Sequence, residues 1–173
     1  HCFLDSAARV PLILRLPQSL RDQYNPTDSD TPVLTADLCP TFLQMAGIQP
    51  DPEIEGQSLL QSLDREYLFG ETPESAMALS KGYKYIYYPA GGIEQLFDLS
   101  QDRDDLKNLA QESNLREIKA QLKAALIAYL EKNQSPLVQN GQLTKQAVHI
   151  DTDALRRNNP HACRGPMHGG DGY

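Results

Sequence analysis

Between residues 67 and 98, four short apolar stretches follow one another with only a few residues separating them. They are Tyr67-Leu68-Phe69, Met77-Ala78-Leu79, Tyr83-Lys84-Tyr85-Ile86-Tyr87-Tyr88 and Gln95-Leu96-Phe97-Asp98. The third, with four tyrosines and an isoleucine in six residues, has the strongest strand preference in the chain, because bulky rings pack well on a pleated surface. Ser80-Lys81-Gly82 and Pro89-Ala90-Gly91-Gly92 supply turn residues between the later strands. Parallel neighbours need a long crossover, so strands joined this closely can pair only antiparallel. The spacing therefore predicts an antiparallel meander, which needs a cover on at least one face. Leu115, Ile118, Leu122, Ala125, Leu126, Tyr129 and Leu130 recur at three and four, forming the apolar stripe of a long helix capped at Asn114. That stripe is expected to lie on one sheet face and meet alternate tyrosines, with the other rings covering the opposite face.

The first third of the chain reads differently. Val10-Pro11-Leu12-Ile13-Leu14 is short and continuously apolar, as in a strand buried on both sides of a parallel sheet. Pro17 closes it, and residues 18–31 form a polar surface loop. Asp37 is expected to cap a helix that carries Pro40 in its first turn and ends at Gly47. Residues 98–105 read as a charged turn, with Asp104-Asp105 a solvated pair, and residues 106–110 as a short helical turn. Residues 134–173 are poor in apolar side chains, and mostly irregular structure wrapped over the domain surface is expected there. The division is 1–62, 63–133 and 134–173.

Charge excludes one class of partner. Sixteen Lys and Arg stand against 23 Asp and Glu, a net charge of −7, and nucleic-acid binding wants a basic face. No apolar run reaches the ~20 residues of a membrane-spanning helix. Cys2, Cys39 and Cys163 are odd in number and widely spaced, so neither a disulfide framework nor a zinc site is indicated. The chain opens His1-Cys2-Phe3-Leu4 without an initiator Met, which reads like mid-protein sequence.

Three segments, in order, resemble the C-terminal region of the sulfatases of the alkaline-phosphatase superfamily. The first is Asp5-Ser6-Ala7-Ala8-Arg9-Val10-Pro11-Leu12-Ile13, like the acidic residue and Arg-Val-Pro-Leu-Ile strand of that family. The second is Asp37-Leu38-Cys39-Pro40-Thr41 with Ala46-Gly47-Ile48 and Gly56-Gln57-Ser58-Leu59-Leu60. The third is Gly82-Tyr83-Lys84-Tyr85-Ile86, then Gln95-Leu96-Phe97-Asp98-Leu99 with Asp102 and Asn108-Leu109-Ala110. The resemblance implies an α/β fold: one strand and one helix of a large sheet in 1–62, a small antiparallel sheet packed on a C-terminal helix in 63–133, and an irregular tail in 134–173.

The resemblance also implies a chemistry. Sulfatases attack the sulfur of a sulfate ester with the hydrated aldehyde of formylglycine, made within a Cys/Ser-x-Pro-x-Arg motif, while calcium held by Asp and Asn oxygens neutralises the sulfate. That motif is absent here. Cys39 has Pro40 one place too early, Cys163 has Pro166 one place too late, and Cys2 has none. The expectation is that the catalytic residues, the calcium and the formylglycine belong to an upstream part, with none held by these residues. In the family a sulfate-binding Lys precedes the Asp5 position by five places, immediately before His1. His1 is thus the one substrate-side candidate, more simply read as a flanking group. His149, between Val148 and Ile150, reads as pointing outward from a short strand; His161 and His168 with Asp171 suggest a metal site, against which solvent-facing polar side chains of the tail are the simpler reading. The resemblance further suggests export. A phosphonate or phosphate ester hydrolase of the same superfamily, or a non-catalytic binding module, are the alternatives.

Overall fold

The computed structural model describes residues 3–21, 24, 31–63 and 65–147. The four short stretches form the meander: β1 (Leu68–Thr72), β2 (Ser75–Ser80), β3 (Tyr83–Tyr88) and β4 (Ile93–Asp98), antiparallel in sequence order. Ser80 pairs with Tyr83 across Lys81 and Gly82, whose φ of 51° and 79° are the left-handed pair that a two-residue hairpin demands. Tyr83 pairs with Asp98 and Tyr88 with Ile93 across the four-residue turn that follows.

Side chains alternate between two cores, as the strand period requires. On one face Ala76, Ala78, Tyr85, Tyr87 and Leu96 are buried against Leu122, Leu126 and Leu130. These leucines, four apart, lie on the long helix Arg116–Lys132. Three more helices precede it among the described residues, and all are numbered in chain order: α1 (Asp5–Ala8), α2 (Gln18–Arg21), α3 (Leu38–Met45) and α4 (Arg116–Lys132). On the opposite face Met77, Ile86 and Phe97 pack against Phe3, Leu4, Leu79, Tyr88 and Leu99. The rings of Tyr67, Phe69 and Tyr129 stack in series, with centroids 5.8 and 4.5 Å apart, joining the β1 edge to α4. The tyrosines therefore divide as the alternation predicts, with Tyr83, Tyr85 and Tyr87 toward the helix and Tyr88 away from it.

Four expectations are corrected, and the start of the tail adds a detail to a fifth. Residues 10–14, read as a strand, lie in no strand among the described residues; Val10 and Ile13 are 67% and 91% exposed. An apolar run specifies a strand only where a neighbour offers its backbone, and no described segment pairs with it. The loop at 18–31 begins with the helical turn α2. Residues 106–110 are not helical: the Leu109 N–H donates to the Leu96 carbonyl at 2.8 Å, so this segment runs along the free edge of β4. Helix α4 starts through a tight turn at Ser113–Leu115 with no side-chain cap at its first residue, so Asn114 is not its cap. The tail is regular at its start. Strands β5 (Val138–Gln139) and β6 (Gln142–Leu143) form a hairpin over Asn140-Gly141, both at positive φ. The Tyr87 hydroxyl donates to the Thr144 carbonyl at 2.8 Å, and Leu137 is buried in the helix-side core. Asn-Gly between short apolar stretches was the available signal for that hairpin.

Candidate functional site

Three buried polar centres organise the described residues, and each sits on a segment that carried the family resemblance. The first lies on the sheet face away from α4. Lys84 points inward from β3 and is 2% exposed. Its Nζ donates to Asp5 Oδ1 and to Asp105 Oδ2, both at 2.5 Å. The Asp5 backbone N–H donates to the same Asp105 oxygen at 2.5 Å. The start of the chain is thereby tied to the sheet and to the turn before residue 106. Phe3 completes the docking: a Cβ on Gly70 would stand 2.5 Å from the nearest atom of its ring, so a larger residue there would require the ring to shift. Asp105 is therefore no solvated charge. Its side chain is fully buried and its backbone is left-handed, at φ 54°. The preceding turn enforces this, because the Asp102 carboxylate accepts the N–H groups of Leu106 and Lys107.

The second centre explains Asp-Leu-x-Pro-Thr and the later glycine segment together. Asp37 is completely buried. Oδ2 accepts the Leu34 N–H and Arg65 Nη2, each at 2.7 Å, and Oδ1 accepts the Gln57 N–H at 2.9 Å. Thr41 extends the network, donating to the Asp37 carbonyl at 2.5 Å and accepting the Leu59 N–H at 2.9 Å. Asp37 makes no side-chain bond to α3, so its role as helix cap is replaced by that of a tie between three segments. Burial pushes its carboxyl up, but the Arg65 guanidinium and the Leu34 and Gln57 N–H groups outweigh this and hold it below the ordinary 3.8. Gly56 passes so close that a Cβ would lie 2.5 Å from the Ala36 carbonyl oxygen, at a φ of 113°. Gly47, which follows the C-cap Ala46 of α3 at φ 73°, has open space around it. Gly56→Ala is expected to lower stability by about 2–3 kcal/mol, and Gly47→Ala by about 1 kcal/mol, because only the former adds a backbone clash to the strained φ. Thermal melts of the two variants check this; equal shifts would contradict the clash.

The third centre joins sheet to helix. Glu94 accepts the Tyr85 hydroxyl at 2.8 Å, Lys123 Nζ at 2.6 Å and Lys119 Nζ at 3.4 Å. Burial of Glu94 works against its charge, yet the two lysines and the phenol keep its carboxyl below the usual range, while burial and that carboxylate drive the Tyr85 phenol upward. Beside it, Asn108 accepts the Leu96 and Ala110 N–H groups, each at 3.0 Å, and so finishes the β4 edge.

In all three centres the charges pair inside the fold: Lys84 with Asp5 and Asp105, Arg65 with Asp37, and Lys119 and Lys123 with Glu94. His1, the substrate-side candidate, lies outside the described residues, as do His149, His161, His168, Asp171, Cys2 and Cys163. Cys39 is an exposed free thiol on α3. Among the described residues no three His, Cys, Asp or Glu side chains converge as metal ligands. No described helix is long and apolar enough to cross a membrane. Two open clefts among the described residues are lined mainly by polar groups, one at Ala110–Glu112, Arg116 and Lys119 and one at Gln139, Asn140 and Gln142–Lys145. Sequence reasoning missed Lys84, Arg65 and Asp105 as partners; the only local hint was a lone lysine in an otherwise apolar strand.

Comparison with known proteins matches this chain to the sulfatases of the alkaline-phosphatase-like fold, and to the C-terminal part of those proteins. A Δ4,5-hexuronate-2-O-sulfatase of Bacteroides thetaiotaomicron is 29% identical over 186 aligned positions, covering 98% of this chain and 36% of the relative. An arylsulfatase of Clostridium perfringens is 27% identical, over 82% of this chain and 31% of the relative. Among solved structures, a 2-O GAG sulfatase superposes with a TM-score of 0.51 at 29% identity, over 57% of this chain and 24% of that one. The chain thus spans about a third of the length of the curated relatives it matches. No protein-family model matches it.

Proposed function

We propose that this chain is the C-terminal portion of a sulfate-ester hydrolase, supplying the end of its large domain (1–62), a small sheet with its helix (63–133) and a tail (134–173). The observation that carries this reading is the 29% identity to a sulfatase across 98% of the chain, aligned with the C-terminal part of that relative. The nucleophile, a formylglycine, and a divalent metal, calcium, belong in this reading to residues upstream. The described residues do not fit a metal: the buried carboxylates of Asp5, Asp37 and Asp105 are held in internal ion pairs, and no three His, Cys, Asp or Glu side chains converge among the described residues. No chemical step is therefore assigned to them. Their contribution is mechanical, and consists of holding the segments at 3–9 and 31–62 in register with the small sheet.

The 173-residue chain alone is expected to release no sulfate from an aryl sulfate above the uncatalysed rate. The same chain extended by its upstream coding sequence is expected to turn over a sulfate ester, with Δ4,5-hexuronate 2-O-sulfates the first to try because of the relative's name. Turnover by the short chain that survives purification and calcium chelation overturns the proposal. An extended chain that cleaves phosphonate or phosphate esters in preference to sulfate esters moves the assignment to the phosphonate and phosphate hydrolases. A chain with no hydrolytic activity when extended leaves the binding-module alternative.

A further inference from the structure

We propose that Lys84 is a positioning residue for the reaction assigned above, acting through its buried bonds to Asp5 and Asp105; this rests on the proposed function, which puts the reacting groups upstream. Three sequence-distant segments meet at one ammonium. Lys84 belongs to the middle of the sheet, Asp105 to the turn after β4, and Asp5 to the first turn of α1, 79 residues before Lys84. A buried ion pair is a poor way to gain stability, since desolvation offsets much of the attraction, and an apolar core residue would serve the sheet as well. What the charged arrangement adds is direction. The ammonium and the Asp5 N–H both bond Asp105 Oδ2, so the carboxylate fixes one rotation and height of the incoming backbone.

Two further observations agree. Asp105 holds a left-handed backbone, a strained state that persists only where the surroundings impose it, and its Oδ1 is buried without a partner among the described residues. On the far side of the same segment the chain has little grip: from Val10 to Ile13 the apolar side chains are largely exposed and unpaired. Phe3, Leu4 and Asp5 are thus the anchored part, and the Lys84 clasp is its polar component. The clasp thereby sets the position of the Phe3–Asp5 segment relative to the small sheet.

Lys84→Met keeps the length of the side chain and removes the charge; Asp105→Asn is the second variant should Lys84→Met fail to fold. In the 173-residue chain, amide hydrogen exchange is expected to speed up at Asp5 by about 100-fold or more, while Ile86 and Leu96 change by less than about 3-fold. In the upstream-extended enzyme, kcat on the sulfate ester is expected to fall by about 10-fold or more with KM changed less than about 3-fold, and Lys84→Arg to recover part of the loss. Equal acceleration of sheet amides would make Lys84 a general stability residue and overturn the proposal. So would an unchanged Asp5 amide, or a released Asp5 with kcat intact. An extended wild-type enzyme inactive on every ester defeats the proposed function and this role with it, while the exchange experiment still decides whether the clasp orders the segment.

Discussion

Replacing Asp37 by Ala should lower the stability of the chain by about 3–5 kcal/mol, the range found when one partner of a buried ion pair is removed. The loss has three parts. Arg65 would keep a buried guanidinium with no counter-charge, and its Nε already lacks a partner among the described residues. The half-buried N–H groups of Leu34 and Gln57 would lose their acceptor. The turn at residue 56 would lose the tie that keeps Gly56 against the Ala36 carbonyl. Urea titration followed by circular dichroism measures the change. A double variant, Asp37→Leu with Arg65→Met, should recover part of the loss, because the orphaned charge is then gone. A single variant within about 0.5 kcal/mol of the wild type, the range of an ordinary surface change, would mean that this tie contributes nothing.

The same carboxylate sets a pH dependence. Its folded-state pKa lies below the ordinary 3.8, so its contribution is fully present above that value and is lost as the pH falls through the folded-state value. The gap between wild type and Asp37→Ala should therefore be constant from neutral pH down to about pH 5 and shrink as the medium becomes more acidic than the unfolded carboxyl.

The second large effect is at Leu126. It is completely buried at the centre of α4, among Ala78, Tyr85 and Leu96 of the sheet. Leu126→Ala removes three carbons from a site whose walls are strands already in register, which can close the gap only in part. The expected loss is about 2–5 kcal/mol with an unchanged denaturant slope. Gln121→Ala, on the exposed side of the same helix, should move the midpoint little. Similar losses at both positions would mean that helix propensity, and not packing on the sheet, stabilises α4.

Much of the small sheet and its helix is legible in the residue pattern. The strand period at Tyr83–Tyr88 and the helical period from residue 115 are local, and each selects one face of its own element. Boundaries shift by one to three residues, with β1 extending to Thr72 and β4 beginning at Ile93. The candidate centres are much less legible. Asp37 reads as a helix cap because capping is the commonest local use of an aspartate before a helix, while its actual partners lie 3, 20 and 28 residues away. Asp105 reads as solvated because it stands in a charged turn, and nothing near it in sequence announces Lys84.

Sequence by itself determined the antiparallel meander, the face of α4 that covers it, the turn glycines and the likeness to the sulfatases, because each depends on neighbours a few residues apart or on a pattern running along the chain. Tertiary structure alone decided which carboxylate meets which cation, that the beginning of the chain is clasped to β3, and that residues 10–14 have no sheet to join among the described residues. Those outcomes depend on groups brought together from distant positions. A buried charge is tolerable only where the fold delivers its partner, and a strand exists only where another backbone is there to bond it.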